Sequence, residues 1–236
     1  QNLTSKITSK TKFIIINSPN NPTGKILKEE DLNILAEVLR ENQNINLISD
    51  EIYELILKKD FKHISFAAFA KDLKDRIFTI NGFAKGWAMT GWRLGYLVGK
   101  KEVIKASSTL QSQSTSNVCS FAQRGALAAL EIKDEFFNEI NNIYDERREI
   151  LFNGLKKIKG IYIQPPNGAF YAFPKLPNKK LSSVEFCKKL LQEYSLVVIP
   201  GKAFGDDQCI RMPCASSNET IKNGLSRFEK AIKDFY

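Results

Sequence analysis

Four residues able to do chemistry stand at or just beyond the ends of short apolar runs: Asn21 after the first, Asp50 and Tyr53 after the second, and Lys85 after the third. Taken singly, each has a plain explanation. Asn21 and Gly24 suit a turn, Asp50 suits a cap, and Lys85 is one of many surface lysines. Taken together they are a lysine amine, a carboxylate and a phenol. At one crevice those groups are what a pyridoxal phosphate site needs: an amine to condense with the aldehyde, an anion for the ring nitrogen and a donor for the ring oxygen. Lys202, in Pro200-Gly-Lys-Ala-Phe-Gly205, reads instead as a loop lysine, and His63 reads as structural.

The elements that must position these groups follow from periodicity. Lys12 to Asn17 is a β-branched run suited to a buried strand, ending in the turn-rich Asn17-Ser-Pro-Asn-Asn-Pro-Thr-Gly24. Lys28 to Asn42 places Leu32, Leu35, Ala36 and Leu39 at helical spacing. Ile45 to Ser49 and Arg76 to Asn81 return to strand pattern. Strand, helix and strand joined by short loops predict an α/β fold with a mostly parallel sheet, whose strand ends converge on one crevice. Lys100 to Lys159 is predominantly helical, and Glu135 to Lys156 is long enough to bridge two domains. After Gly160 the pattern predicts strands at Ile161 to Gln164, Ala169 to Phe173, Leu196 to Ile199 and Cys209 to Met212. Helices are expected over Ser182 to Tyr194, opened by a serine cap, and over Glu219 to Phe235. The expected division is part of a large domain in residues 1–133 and a small α+β domain in residues 134–236.

Composition bounds the partners. The 236 residues hold 35 Lys+Arg against 26 Asp+Glu, a net charge of +9. That excess permits an anionic partner, but the bases are scattered (Lys6, Lys10, Lys58, Lys59, Lys156, Lys157, Lys179, Lys180) and read as a solvated surface, so no nucleic acid is expected. Phe66, Phe69, Trp87, Trp92, Phe170 and Tyr171 lie within apolar patterns and read as packing, not as a base-stacking platform. Cys119, Cys187, Cys209 and Cys214 lack a C-x-x-C spacing, and one histidine accompanies them, which argues against a metal site. They read as reduced, buried thiols. No apolar run has membrane-spanning length and no signal-peptide pattern opens the chain, so no membrane is expected and a cytoplasmic or other soluble organellar compartment is.

Three stretches, Asn17 to Gly24, Ser49-Asp-Glu-Ile-Tyr53 and Asn81-Gly-Phe-Ala-Lys-Gly-Trp-Ala-Met-Thr-Gly-Trp-Arg-Leu-Gly-Tyr96, resemble in that order the class I/II aminotransferases of fold type I. Within that family the match looks closest to the bacterial and plastid type of aspartate aminotransferase. The resemblance implies pyridoxal 5'-phosphate as cofactor. It also implies ping-pong transfer of an amino group between an L-amino acid, aspartate or a related acid, and a 2-oxo acid. It implies that Lys85 is the Schiff-base lysine and proton shuttle, that Asp50 pairs with the pyridine nitrogen, and that Tyr53 and Asn21 bond the ring oxygen. By the same resemblance Arg93, eight residues after Lys85, grips the phosphate. Arg211, in Cys209-Ile-Arg-Met-Pro-Cys-Ala215, then receives the substrate α-carboxylate beside Asn21, and Ser116 reaches the phosphate of a neighbouring subunit in a homodimer.

The sequence departs from the family in three places. Ala84 and Gly82 stand where many relatives have a phosphate-binding serine. Ser112 stands where the animal-type enzymes place an arginine for an acidic substrate side chain. The family's earlier half, with its phosphate cradle and stacking ring, cannot lie in the residues before Phe13, so the chain reads as a C-terminal portion, weak or inactive alone. A lyase or synthase of the same fold is the closest rival, and a non-catalytic basic binding domain a more distant one.

Overall fold

The β-branched run after Lys12 forms β1 (Phe13–Asn17), and the next two apolar runs form β2 (Asn46–Asp50) and β3 (Ile77–Gly82), paired in parallel in that order. A computed structural model supplies this description for residues 3–177 and 181–236. Lys179 and Lys180, counted above among the scattered bases, lie outside the described residues. Helix α1 (Glu29–Glu41) makes the crossover between β1 and β2. Its stripe of Leu32, Leu35, Ala36 and Leu39 packs with Ile14, Leu47 and Ile77 of the sheet. Burial of each large aliphatic side chain there stabilises the fold by roughly 1.5–3 kcal/mol. Phe13, Ile15 and Ile80 lie on the other face and stay exposed, at 50%, 70% and 40%. Arg76 closes the end of α1, donating from Nη2 to the Leu39 carbonyl at 2.7 Å and from Nη1 to those of Asn42 and Ile45 at 3.0 and 3.1 Å.

Beyond β2 come α2 (Phe66–Phe69) and, after β3, an antiparallel edge strand β4 (Gly95–Val98). That strand was not legible in the sequence, because Gly91, Gly95 and Gly99 break the alternation around it. Helices α3 (Lys101–Ser114), α4 (Ser120–Ala129) and α5 (Asp134–Lys157) fill the stretch predicted to be helical. Trp92 packs against Gly125, where a Cβ would lie 2.3 Å from its ring, yet stays 46% exposed.

The chain divides into two compact units, one of Gln1–Pro19, Ile26–Leu55 and Lys62–Phe136, the other of Asn20–Lys25, Ile56–Phe61 and Phe137–Tyr236. In the second unit β5 (Tyr171–Ala172), β6 (Ile199–Pro200) and β7 (Ile210–Pro213) make an antiparallel sheet in the order β5-β7-β6. Helices α6 (Ser183–Tyr194) and α7 (Asn218–Phe235) bury Phe186, Leu190, Phe228 and Ala231 together with Leu155 and Ile210. Ser182 caps α6 as its type and position predict: its Oγ accepts from the Glu185 amide, and Glu185 accepts from the Ser182 amide at 3.0 Å. The strand expected over Ile161 to Gln164 is only a bridge between Tyr162 and Lys175. Pro165 and Pro166 follow it and bring no amide donors to extend a ladder.

The short segments of the second unit are held by backbone bonds. Gly24 accepts from the amides of Asn167 and Gly168, both at 2.9 Å. Its φ is +68°, and a Cβ there would lie 2.6 Å from Pro166 Cβ, so both conformation and space require glycine. Arg148 of α5 is buried and donates to the carbonyls of Ala169 (2.6 Å) and Leu57 (3.0 Å) while pairing with Asp145 at 2.6 Å. All four cysteines are free, but only Cys187, Cys209 and Cys214 are buried; Cys119 is exposed, which corrects the expectation of four buried thiols. Cys119 immediately precedes α4, outside its buried stripe of Ala122, Ala126 and Ala129.

Candidate functional site

In the first unit the parallel register brings Asn17 opposite Asp50 and Asp50 opposite Ile80, so the carboxyl ends of β1, β2 and β3 lie side by side. The Asp50 backbone carbonyl accepts from the Ser18 amide at 3.1 Å and from Asn17 Nδ2 at 3.0 Å. Its side chain is half-buried and accepts from the Ile52 amide at 3.2 Å. Burial pushes this carboxyl above the usual carboxylate range, and the Ile52 bond offsets only part of that rise. Such a group is stabilised by a cationic or N–H partner, which is what a protonated ring nitrogen provides.

Tyr53, three residues on, is buried, and Lys85 Nζ lies 5.8 Å from the centre of its ring. The path to Lys85 leaves β3 at Gly82, which is pressed against β4: a Cβ there would meet Gly95 Cα at 2.7 Å and the Leu94 carbonyl oxygen at 2.8 Å. The structure thus brings Asp50, Tyr53 and Lys85 to one end of the sheet by strand register and short turns. No metal is needed to explain the acids nearby. Glu51, Glu54 and His63 cluster, and each has a protein partner: Glu54 accepts from Asn81 Nδ2 at 2.6 Å, and His63 Nε2 meets Glu51 at 3.1 Å. His63 therefore has the buried partner that its sequence context did not reveal.

Arg93 and Ser116 both hold left-handed backbone, with φ of 55° and 61°, a conformation uncommon for residues with a side chain. They line one open cavity of about 460 Å³ with Trp92, Thr115, Asn117 and Cys119. Arg93 is exposed and Nη1 donates to its neighbour's carbonyl, Thr90, at 3.1 Å, leaving the rest of the forked guanidinium facing outward. A guanidinium suits a phosphate by its forked donors. Ser112 is turned onto its own helix, donating to the Thr109 carbonyl at 2.7 Å.

Asn21 and Arg211 belong to the second unit, where they meet directly: Arg211 Nη1 donates to Asn21 Oδ1 at 2.9 Å. The Arg211 guanidinium lies over the rings of Tyr171 and Phe204, 4.5 and 5.0 Å from their centres. Its Nε is buried and has no hydrogen-bond partner among the described residues. A buried N–H left unsatisfied is costly unless an acceptor completes it, and a carboxylate matches the fork of this part-buried guanidinium. Tyr171 and Phe204, the first expected to be packing and the second a loop residue, are the rings that flank this guanidinium. Their signal was present only in the alternation that puts Tyr171 on the same small sheet as Arg211. Lys202, expected in a loop, is exposed in a short 3₁₀ helix (Gly201–Phe204) between β6 and β7, and its amide donates to Ser183 Oγ at 3.1 Å.

Residues 1–228 match the family model for aminotransferase class I and II. The chain is 42% identical over 234 residues to a probable aspartate/prephenate aminotransferase of Aquifex aeolicus, covering 97% of this chain and 59% of that protein. It superposes on the crystal structure of the aspartate aminotransferase of Rhizobium meliloti with a TM-score of 0.92 at 34% identity, over 98% of this chain and 60% of that one. An aromatic aminotransferase of Pyrococcus horikoshii matches at a TM-score of 0.91 and 34% identity, over 98% and 62%. The chain thus spans about three fifths of the length of these relatives.

Proposed function

We propose, for a chain that belongs to the class I and II aminotransferases, that the whole protein moves an amino group between an L-amino acid and a 2-oxo acid with pyridoxal 5'-phosphate as cofactor. The observation that carries this reading is the meeting of Lys85 and Tyr53 at the sheet end where β2 terminates in Asp50. When bound, the cofactor supplies an aldehyde for amine exchange and a ring that accepts electron density. Lys85 is assigned the nucleophilic amine and, once free, the base that takes and returns the proton at the substrate Cα. Asp50 holds a proton on the ring nitrogen, and the desolvation of its carboxylate strengthens that pairing. Tyr53 donates to the ring oxygen, Arg93 holds the phosphate, and Arg211 with Asn21 receives the α-carboxylate.

Several finer assignments belong to the same reading. Asn21 also serves the ring oxygen, and Ser116 serves a neighbouring subunit of a homodimer. The large and small domains divide as 1–133 and 134–236. Aspartate or a related acid is the proposed substrate, supported by the names of the relatives rather than by a cation at Ser112. A soluble compartment is proposed; among the described residues no helix is long and apolar enough to cross a membrane.

The test is borohydride reduction of the whole protein after addition of pyridoxal phosphate, followed by peptide mapping. A single modification at Lys85, lost in Lys85→Ala, is the expected result. Labelling spread over surface lysines, with Lys85 no more reactive than the rest, would overturn the assignment.

A further inference from the structure

We infer that Glu51 is a positioning residue, whose buried carboxylate turns the chain so that Asp50 and Tyr53 face the cofactor. The inference rests on the proposed function for what Asp50 and Tyr53 do. Glu51 is 2% exposed, and its side chain is surrounded by donors from three places. Oε1 accepts from Ser49 Oγ at 2.8 Å, from Ser65 Oγ at 3.1 Å and from the Phe66 amide at 3.2 Å, and Oε2 meets His63 Nε2 at 3.1 Å. The imidazole is nearly as buried, and its Nδ1 has no hydrogen-bond partner among the described residues. An orphaned lone pair is tolerated better than an orphaned N–H, so the histidine proton is assigned to Nε2, where it points at Glu51.

The backbone of Glu51 is fixed as firmly as its side chain. Its amide donates to the Ile80 carbonyl at 2.9 Å, continuing the β2–β3 ladder by one residue, and its carbonyl accepts from the Glu54 amide at 2.8 Å, closing the turn that holds Tyr53. Along extended chain, neighbouring side chains point to opposite faces, so fixing one fixes the next. With Glu51 locked on the inner side among Ser49, His63, Ser65 and Phe66, Asp50 is directed to the other. Glu54 extends the tie, since Asn81, which accepts from the Gly82 amide at 2.7 Å, donates to it at the end of β3 that leads to Lys85.

A buried charge need not be retained for stability alone, because well-packed apolar side chains often do as well. What an ionised Glu51 adds is direction: four donors define one orientation of the carboxylate, and an apolar side chain defines none. Burial raises its pKa, but the bonds from His63 and Ser49 outweigh that and hold it below the usual range.

The test uses the whole protein with the variants Glu51→Gln, Asp50→Asn, their double mutant and Ser65→Ala. Two quantities are read: amide hydrogen exchange of residues 51–54 without cofactor, and the dissociation constant of pyridoxal phosphate by spectroscopic titration. Glu51→Gln is expected to speed exchange at 51–54 while the amides of β1 and β3 keep their protection, and to weaken cofactor binding by about ten- to a hundredfold. Because Glu51 acts through its neighbour, the double mutant should bind no worse than Asp50→Asn alone. Unchanged exchange at 51–54, or losses that multiply in the double mutant, would overturn the inference. If Glu51→Gln does not fold, Ser65→Ala, which removes one donor, replaces it; the same pattern at smaller amplitude supports the role and an unaltered exchange and binding constant refutes it. Asp50→Asn binding cofactor as well as the parent would refute the functional reading itself, and the exchange data would still judge Glu51 separately.

Discussion

A carboxylate that is half-buried before its partner arrives carries a cost, and Asp50 shows its sign. Its folded pKa is raised, so between the unfolded and folded values the native state binds more protons, and stability falls as pH rises through that window and stays lower above it. Asp50→Asn keeps an oxygen for the Ile52 amide and removes the charge. In differential scanning fluorimetry without cofactor, the variant is expected to melt above the parent at pH 7, with the gap closing as pH falls through the carboxylate range, while its cofactor affinity drops. A variant that melts lower at pH 7 would contradict this account. Glu51 has the opposite sign: its contribution is present above the unfolded carboxylate pKa and is lost as pH falls through the depressed folded value. The two acids also mark the limit of legibility at this scale. Asp50, Tyr53 and Lys85 were readable because each polar group interrupts or follows an apolar run. Which of two adjacent acids turns inward depends on a register that a slip of one residue inverts, and Ser65 and His63, which decide it, lie far along the chain.

Helices declare themselves by long periodic stripes, and α1, α6 and α7 lie within a residue or two of their expected bounds. Strands of two residues cannot do so: β5 and β6 exist because β7 supplies both with partners, a fact of tertiary pairing rather than of local sequence. The same holds for Arg148, whose place on α5 looks like any charged helix position. Its guanidinium is 2% exposed and satisfies two carbonyls as well as Asp145. Arg148→Met fills similar space but leaves Asp145 and both carbonyls short of a donor. A loss of about 3–5 kcal/mol is expected in urea unfolding, and a loss below about 1 kcal/mol would mean that water or a shifted neighbour takes over the bonds.

Across the whole chain, apart from Asn21, whose side chain meets Arg211, little in residues 20–25 or 56–61 announces that they gather with 137–236, because most of the bonds that hold them run from backbone atoms of Gly24, Leu57 and Lys59 to distant partners. Backbone atoms have no residue type to read. The thiols are a simpler case. Burial pushes Cys187 and Cys209 up to about 12 and Cys214 up to about 11, with Asp206 adding to the rise at Cys209. At pH 8 these sulfurs are protonated and covered, hence slow nucleophiles. Cys119 is exposed and stands on the rim of the cavity shared by Arg93 and Ser116. The protein therefore comes with a native footprinting reporter, needing no engineered label. If Arg93 seats the cofactor phosphate there, the alkylation rate at Cys119, followed by mass spectrometry, falls as pyridoxal phosphate is added and recovers in Arg93→Ala. A rate indifferent to the cofactor would place the phosphate elsewhere.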